Sequence, residues 1–285
     1  MRDFSQDHSA LALNTATLGH NLDDCGAGWS PEQVLDACAE RGYGGIVFWR
    51  REIGSRAEEI GTRVRAAGME VAGLCRTPFL TGPLVPGDDA AIMDDFRTSI
   101  DMAAALGTRV LTIVTGGIEP QTKGPLESQK RLADRISRAA EYAKVRDVHL
   151  ALEPLNPVYG GNRTCVMTVA DALRVCDMVD APNLGIAVDV YHVWWDTSLP
   201  EVLPKASGRI LGYHLCDWLA ETSDILLDRG MMGDGVADLK GLRALVEGAG
   251  YAGLCEVEIF SADNWWRQDP NHVLDVLVKR FRSVC

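Results

Sequence analysis

Several features of secreted and membrane proteins are missing from this chain. No segment reaches the roughly 18 consecutive apolar residues that a membrane span requires. The N-terminal segment, MRDFSQDHSALALNTA, lacks the charged region and long apolar stretch of a signal peptide. The eight cysteines show no CxxC spacing, and several lie inside apolar, strand-like segments. We therefore expect a cytoplasmic protein, not associated with membranes, whose cysteines are mostly reduced core residues.

Positive charge is also scarce. The formal net charge is −12 at pH 7. Sequence-independent binding to a phosphate backbone requires a basic surface, so an acidic balance disfavours it. We do not expect nucleic acid to be a partner.

What the chain does contain is a regular alternation of strand-like and helix-like segments, eight of each. Strict alternation favours right-handed βαβ units around a parallel sheet. No GxGxxG motif follows the first strand, as an open dinucleotide-binding sheet would often show. We predict a single (β/α)8 TIM barrel over residues 1–285, with the active site at the C-terminal ends of the strands. The strands are predicted at residues 11–16, 44–49, 69–75, 109–115, 148–153, 184–189, 209–214 and 253–260.

Four strand-like segments in the second half end on a residue that can bind a metal ion. HLALEP contains Glu153, LGIAVD ends at Asp189, RILGYH ends at His214 and LCEVEIF carries Glu258. Parallel strands present their C-terminal ends at one face, so three carboxylates and one imidazole would meet there. This donor set suits one divalent ion, for which Mn²⁺ is favoured and Mg²⁺, Co²⁺ and Zn²⁺ are alternatives.

Other residues near these strand ends have two interpretations each. A lone strand-end glutamate more often forms an ion pair, and a lone His192 would more often be a buried hydrogen-bonding histidine. Beside a metal, His192 is a candidate for substrate contact or proton transfer. Glu256 has the same strand parity as Glu258 and is the alternative ligand. Asp217 is a candidate acceptor for the His214 N–H.

Cationic and aromatic side chains also follow several strands. Arg76, directly after the third strand, is predicted to hold a substrate oxygen or phosphate, with an ion pair as the alternative. A tryptophan can stack on a sugar, although any single one can instead pack at the rim or anchor an interface. The predicted substrate contacts are Trp49, Arg76, Lys123, Arg163, Trp218 and Arg229.

The Glu-Asp-His-Glu series at strands five to eight resembles that of the xylose isomerase-like TIM barrels. This family includes ketose 3-epimerases, hydroxypyruvate isomerase, inosose dehydratase and isomerase, and endonuclease IV. The resemblance covers the whole chain and includes the Asp189-x-x-His192 spacing and MMGDGVADL at 231–239, which looks like the family's Gly-x-Gly-x-x-Asp turn. It implies that Glu153 and Glu258 both bind the metal and act as an acid/base pair.

Departures from the family narrow the choice among its branches. The three-metal endonuclease branch has additional histidine ligands, whereas this chain has Arg76 and Thr115 after strands three and four, and Gly230 in the Asp-Arg-His element. Ketohexose 3-epimerases have a second glutamate and an arginine where this chain has Tyr159 and Ala220. We therefore expect one metal site, and the ketohexose substrate is not carried over.

These patterns predict a divalent-metal-dependent isomerase or epimerase of a sugar or keto-sugar, working by proton transfer through a metal-stabilised enediolate. The alternative is a lyase on the same site, either an inosose-type dehydratase or a 3-oxo-glycoside deglycosidase. An abasic-site endonuclease and a non-catalytic sugar-binding barrel are less favoured. The expected partner is a small-molecule sugar, and the tryptophan-rich loops are compatible with a homodimer.

Overall fold

Eight parallel strands close into a barrel in the computed structural model, which describes residues 2–285. Neighbouring strands pair in chain order, and β8 pairs with β1. The predicted (β/α)8 fold is therefore confirmed. The strands are β1 Leu11–Asn14, β2 Gly45–Trp49, β3 Glu70–Cys75, β4 Val110–Val114, β5 His149–Glu153, β6 Leu184–Asp189, β7 Ile210–Leu215 and β8 Cys255–Val257.

Helices lie between the strands and cover the outside of the barrel. Three of them are short segments of four residues. No helix within residues 2–285 is both long enough and apolar enough to cross a lipid bilayer. The helices are α1 Pro31–Glu40, α2 Arg50–Ile53, α3 Ala57–Ala66, α4 Asp89–Leu106, α5 Leu126–Lys144, α6 Val169–Val179, α7 Val190–Val193, α8 Leu199–Val202, α9 Leu239–Gly248 and α10 Pro270–Val284.

The connection between β6 and β7 departs from regular alternation. In place of one long helix, the chain forms α7, α8 and a 3₁₀ turn at Leu203–Ala206 there. Pro200 and Pro204 lie in this segment, and proline removes the backbone N–H that a continuing helix needs.

Strand parity decides which side chains enter the barrel. On β5, Leu150 and Leu152 are fully buried in the core shared with the helices. Glu153 has the opposite parity to these leucines. It contacts His214 of β7, and β7 is not a neighbour of β5. Side chains of two strands that are not neighbours can meet only across the barrel interior. The residues that share the parity of Glu153 therefore line the inside of the barrel.

Two strands, β1 and β8, end two or three residues earlier than predicted, and both differences shape the mouth of the barrel. β1 ends at Asn14 because the Asn14 side chain accepts a hydrogen bond from Ala16 N–H at 3.0 Å and starts a 3₁₀ turn. β8 stops at Val257, and Ile259 N–H donates to the Thr17 hydroxyl at 3.0 Å. Glu258 therefore lies just beyond its strand, at the mouth.

Candidate metal centre and active site

The structure brings the four predicted metal ligands together at the C-terminal ends of β5 to β8. Ligand atoms of Glu153, Asp189, His214 and Glu258 lie within 4.8 Å of one another, and all four residues are buried. The β6–β7 register places Asp189 beside His214. Strand pairing, rather than the conformation of long loops, therefore brings the four residues together.

Both nitrogens of the His214 imidazole face a carboxylate. Nδ1 lies 3.0 Å from Glu153 Oε1, and Nε2 lies 3.3 Å from Glu256 Oε2. Burial alone would lower the pKa of His214, but the charges of Glu256 and Glu153 raise it well above its ordinary value. A side chain at Gly212 would place its Cβ 3.1 Å from Nε2, so glycine leaves room for this ring.

The predicted role of Asp217 as the acceptor for His214 is wrong, because Glu256 lies at that nitrogen instead. The buried Asp217 carboxylate accepts backbone N–H groups of Trp218 at 2.9 Å, Gly233 at 2.9 Å and Ala237 at 3.0 Å. It thus organises the glycine-rich turn after β7. Within that turn, Gly233 has a φ of +89°.

Arg229 places a positive charge among the carboxylates. Its Nη1 lies 3.1 Å from Asp189 Oδ2 and 3.0 Å from Glu258 Oε2. The guanidinium carbon lies 4.4 Å from the centre of the Tyr191 ring and 4.2 Å from that of Phe260. Burial would lower the pKa of Arg229, but the two carboxylates raise it well above its usual value. Arg229 therefore remains charged and offsets the repulsion between two members of the quartet.

The carboxylates themselves respond to this charge distribution. Burial alone would raise the pKa of Asp189, but Arg229, His192 and His214 together hold it below its ordinary value. Burial raises the pKa of Glu258, and Arg229 opposes that rise only in part. The quartet therefore combines one strongly ionised carboxylate with one that binds a proton more readily.

His192 is a buried, neutral imidazole at the edge of the quartet. Asn156 N–H lies 3.3 Å from His192 Nδ1, so Nδ1 accepts and the proton lies on Nε2. Nε2 lies 3.7 Å from Asp189 Oδ2. Burial lowers the pKa of His192 to about 4, although Asp189 opposes the shift. Near neutral pH this side chain is a hydrogen-bond donor rather than a charge.

A cavity opens above the quartet, and only part of the quartet reaches it. Glu153 and Glu258 line the cavity together with His192, whereas Asp189 and His214 are not in its wall. Trp49, Phe79 and Phe260 are among the aromatic residues that complete the wall.

Asn14, which the sequence did not single out, holds the two strand-eight glutamates. Its Nδ2 donates to Glu256 Oε1 at 2.6 Å and to Glu258 Oε1 at 2.9 Å, while its Oδ1 accepts from Trp49 Nε1 at 2.8 Å. Cys75 could form a second metal-binding group with both glutamates, but the Asn14 amide nitrogen lies among them, 3.6 Å from Cys75 Sγ. A polar amide inside the otherwise apolar first strand was the available signal.

The predicted substrate contacts divide into two groups. Four of them line the cavity: Trp49, Arg76, Arg163 and Arg229. Lys123 is exposed and does not line it. Trp218 also lies outside the wall and packs 4.7 Å from the Tyr191 ring and 5.6 Å from the Trp194 ring. Its position fits packing beneath the rim better than substrate contact.

The quartet has the chemistry of a divalent-metal site. Two ligand atoms about 2.1 Å from one ion, at a right angle, are about 3.0 Å apart. Nδ1 of His214 and Oε1 of Glu153 are separated by 3.0 Å. Glu256 at Nε2 would leave Nδ1 free to face an ion, as the outer partner of a ligating histidine does. The residues present therefore fit such an ion.

Comparison with known proteins shows two curated relatives. Inosose isomerase of Bacillus subtilis (strain 168) is 25% identical over 177 residues, which cover 59% of this chain and 60% of the relative. The probable ketose 3-epimerase of Synechocystis sp. is 30% identical over 95 residues, 32% of either chain. The chain thus matches less than two thirds of the length of each.

Solved structures and a family model match far more of the chain. Protein SMc04130 from Sinorhizobium meliloti 1021 is 39% identical, with a TM-score of 0.88 and coverage of 97% of this chain and 98% of that one. The IolI protein with a bound zinc atom shares the fold at 20% identity, with a TM-score of 0.80 and coverage of 96% and 97%. The model of the xylose isomerase-like TIM barrel matches residues 35–276. This chain therefore belongs to the xylose isomerase-like TIM barrel family.

Proposed function

We propose that this protein is a divalent-metal-dependent isomerase or epimerase of a sugar or keto-sugar. The observation that carries the proposal is the division of the quartet: Glu153 and Glu258 face the cavity, while Asp189 and His214 lie behind its wall. Glu153 and Glu258 can therefore reach a substrate as well as the ion, whereas Asp189 and His214 can only anchor the ion.

In this proposal, Glu153, Asp189, His214 and Glu258 hold the ion. When bound, the ion polarises a carbonyl oxygen and an adjacent hydroxyl and stabilises the negative charge that develops on them. Mn²⁺ is our first choice. Zn²⁺ is the alternative, supported by the zinc atom in the IolI structure.

The two glutamates supply the proton transfer. They come from β5 and β8, which are not neighbours, so one can remove a proton from a substrate carbon and the other can return one. Return to the opposite face of the same carbon gives an epimer, and return to the neighbouring carbon gives an isomer. Asn14 at 2.9 Å and Arg229 at 3.0 Å orient the Glu258 carboxylate.

His192 has a supporting role in this scheme. It lines the cavity and carries its proton on Nε2, so it is suited to donate a hydrogen bond to a substrate oxygen. The curated relatives, an inosose isomerase and a probable ketose 3-epimerase, support this class of chemistry.

Solvent exchange tests the proposal. The protein, loaded with Mn²⁺ or Zn²⁺, is incubated in D₂O with a panel of keto-sugars and 3-oxo-glycosides, and NMR follows deuterium at the carbons beside the carbonyl. We expect exchange and an epimer or isomer for at least one compound. Glu153→Gln and Glu258→Gln keep the side-chain shape but remove the proton acceptor, so each should slow exchange about 10²-fold to 10⁴-fold.

The control is Glu141→Gln, which alters an exposed glutamate on α5 and should leave exchange unchanged. A product that has lost water or an aglycone would assign the lyase reaction instead. Absence of exchange in every compound, with metal binding verified by elemental analysis, would contradict the proposal.

A further inference from the structure

Arg76 lies where the cavity above the quartet meets a second, outer groove. Arg76, Trp49 and Phe79 line both spaces. The outer groove is formed by these residues with Arg50, Arg51, Thr77, Leu84 and Asp95 among others. A ligand whose reacting end lies at the glutamates would therefore reach Arg76 with its other end.

Arg76 has no carboxylate partner within the described residues. Its Nη1 donates to the Thr77 carbonyl at 3.0 Å, and its guanidinium carbon lies 4.2 Å from the centre of the Phe79 ring. Arg163, in the cavity wall, likewise forms no ion pair within residues 2–285. Arg229 differs, since two carboxylates already engage it. The ion-pair alternative for Arg76 therefore does not hold in this structure.

The charges around Arg76 make its unpaired state costly. Burial lowers the pKa of Arg76 to about 10, the positive charges of Arg163 and Arg50 act in the same direction, and the charge of Glu153 opposes the shift only in part. Among the described residues that line the outer groove, Asp95 is the only acidic one, and Arg50 already engages it. A bound anion would supply the missing counter-charge.

A second donor points to the same kind of ligand. Thr77 is buried at 1% exposure and lines the outer groove, yet its hydroxyl finds no hydrogen-bond partner in the described part of the chain. Thr77 follows Arg76 in the chain, and both a hydroxyl and a guanidinium can donate to the oxygens of an anion.

We propose that the substrate carries an oxyanion group, a carboxylate or a phosphate, that binds Arg76 at the junction of the cavity and the outer groove. Arg163 adds positive potential, and the Thr77 hydroxyl donates a hydrogen bond. The placement of the reacting end at Glu153 and Glu258 rests on the proposed function, whereas the anion site rests on the unpaired cations alone.

A matched ligand series tests this inference by binding rather than turnover. Calorimetry compares D-fructose, D-fructuronate and D-fructose 6-phosphate, which differ in the group at the terminal carbon, with and without EDTA. We expect one of the two anions to bind roughly 10-fold to 100-fold more tightly than D-fructose, as expected for one or two charge-assisted hydrogen bonds. Tighter binding of D-fructuronate identifies a carboxylate site, and tighter binding of the ester identifies a phosphate site.

Single substitutions test whether Arg76 causes the tighter binding of the anionic ligand. Arg76→Gln should abolish the preference, so that D-fructose and the two anions bind with similar affinities; Arg76→Lys should retain part of the preference, and Arg163→Gln should reduce it. Arg109→Gln removes an equal charge just before β4, at the other end of the barrel, and should change nothing. Circular dichroism checks folding, and Arg163→Gln and Arg76→Lys decide the result if Arg76→Gln does not fold.

Two outcomes overturn the inference. In the first, neither anion binds more tightly than D-fructose, or none of the three ligands binds measurably. In the second, an anion binds more tightly but Arg76→Gln leaves that difference intact. The proposed function fails separately. If an anion binds more tightly than D-fructose but no keto-sugar exchanges a proton with solvent, only the isomerase assignment is contradicted. If exchange occurs without an anion preference, only the anion site falls.

Discussion

Nε2 of His214 lies 3.3 Å from Oε2 of Glu256, on the opposite side of the ring from Glu153. This pairing fixes which imidazole nitrogen faces the quartet. Asn14 in turn holds the Glu256 carboxylate, with its Nδ2 donating at 2.6 Å. We therefore propose that Glu256 positions His214 in the proposed metal site rather than binding the ion.

Substitution of Glu256 should weaken metal binding without removing a ligand. Glu256→Leu removes the acceptor at His214 Nε2 and should lower affinity roughly 10-fold to 100-fold, the usual effect of losing such a partner. Glu256→Gln retains an acceptor oxygen and should lower it less. Competition between the protein and a chelator for Zn²⁺ or Co²⁺ measures both. Equal affinity in all three proteins would show that Glu256 does not orient the ring.

Substitution of Asp217 should lower the stability of the protein without weakening metal binding. Asp217→Ala leaves three backbone N–H groups without their acceptor, so we expect the free energy of unfolding to fall by about 3 kcal/mol. Metal affinity should stay close to that of the wild type, because Asp217 does not contact His214. Urea denaturation and the same chelator competition measure the two effects. Asp263→Ala, at an exposed residue, is the stability control.

Removal of Arg229 should destabilise the protein most when metal is absent. Arg229→Met leaves Asp189 and Glu258 buried without their counter-charge, which typically costs about 3–5 kcal/mol. A divalent ion neutralises the same carboxylates, so Zn²⁺ should stabilise the variant more than it stabilises the wild type. Urea denaturation in EDTA and in Zn²⁺ measures this difference. Arg267→Ala, which breaks an exposed pair, should change stability by less than about 1 kcal/mol in either condition.

The sequence predicted the quartet because each member lies at or near the C-terminal end of an apolar strand-like segment, and parallel strands bring those ends together. Glu256 and Glu258 have the same parity, so the sequence favoured Glu258 only because it lies nearer the C-terminal mouth, and it left Glu256 as the alternative. Their difference arises from depth: Glu256 lies opposite His214 inside the β7–β8 ladder, while Glu258 follows the end of β8. That depth depends on strand pairing between residues far apart in sequence, which a local pattern does not encode.

Proximity in sequence also misled the assignment of Asp217. It lies three residues after His214, but β7 ends at Leu215 and the chain then turns away to pair Asp217 with Gly230. Asn14 was overlooked for a related reason. A neutral amide at a strand end is informative only when the carboxylates of β8, more than 240 positions later, are known to lie beside it.

Cysteine reactivity gives a final prediction, drawn from burial across the whole barrel. All eight cysteines are free, and Cys25 is exposed while the other seven are buried. Burial raises the pKa of Cys176 to about 12 and that of Cys255 to about 11. A raised thiol pKa leaves little reactive thiolate at pH 8.

We therefore expect a thiol reagent such as Ellman's reagent to modify one cysteine per chain rapidly at pH 8, and the remaining seven only after unfolding in urea. Cys25→Ser should abolish the rapid phase and leave the slow one. More than one rapid thiol in the wild type would mean that a segment of the barrel opens far more readily than its packing indicates, because a buried thiol reacts only from an open state.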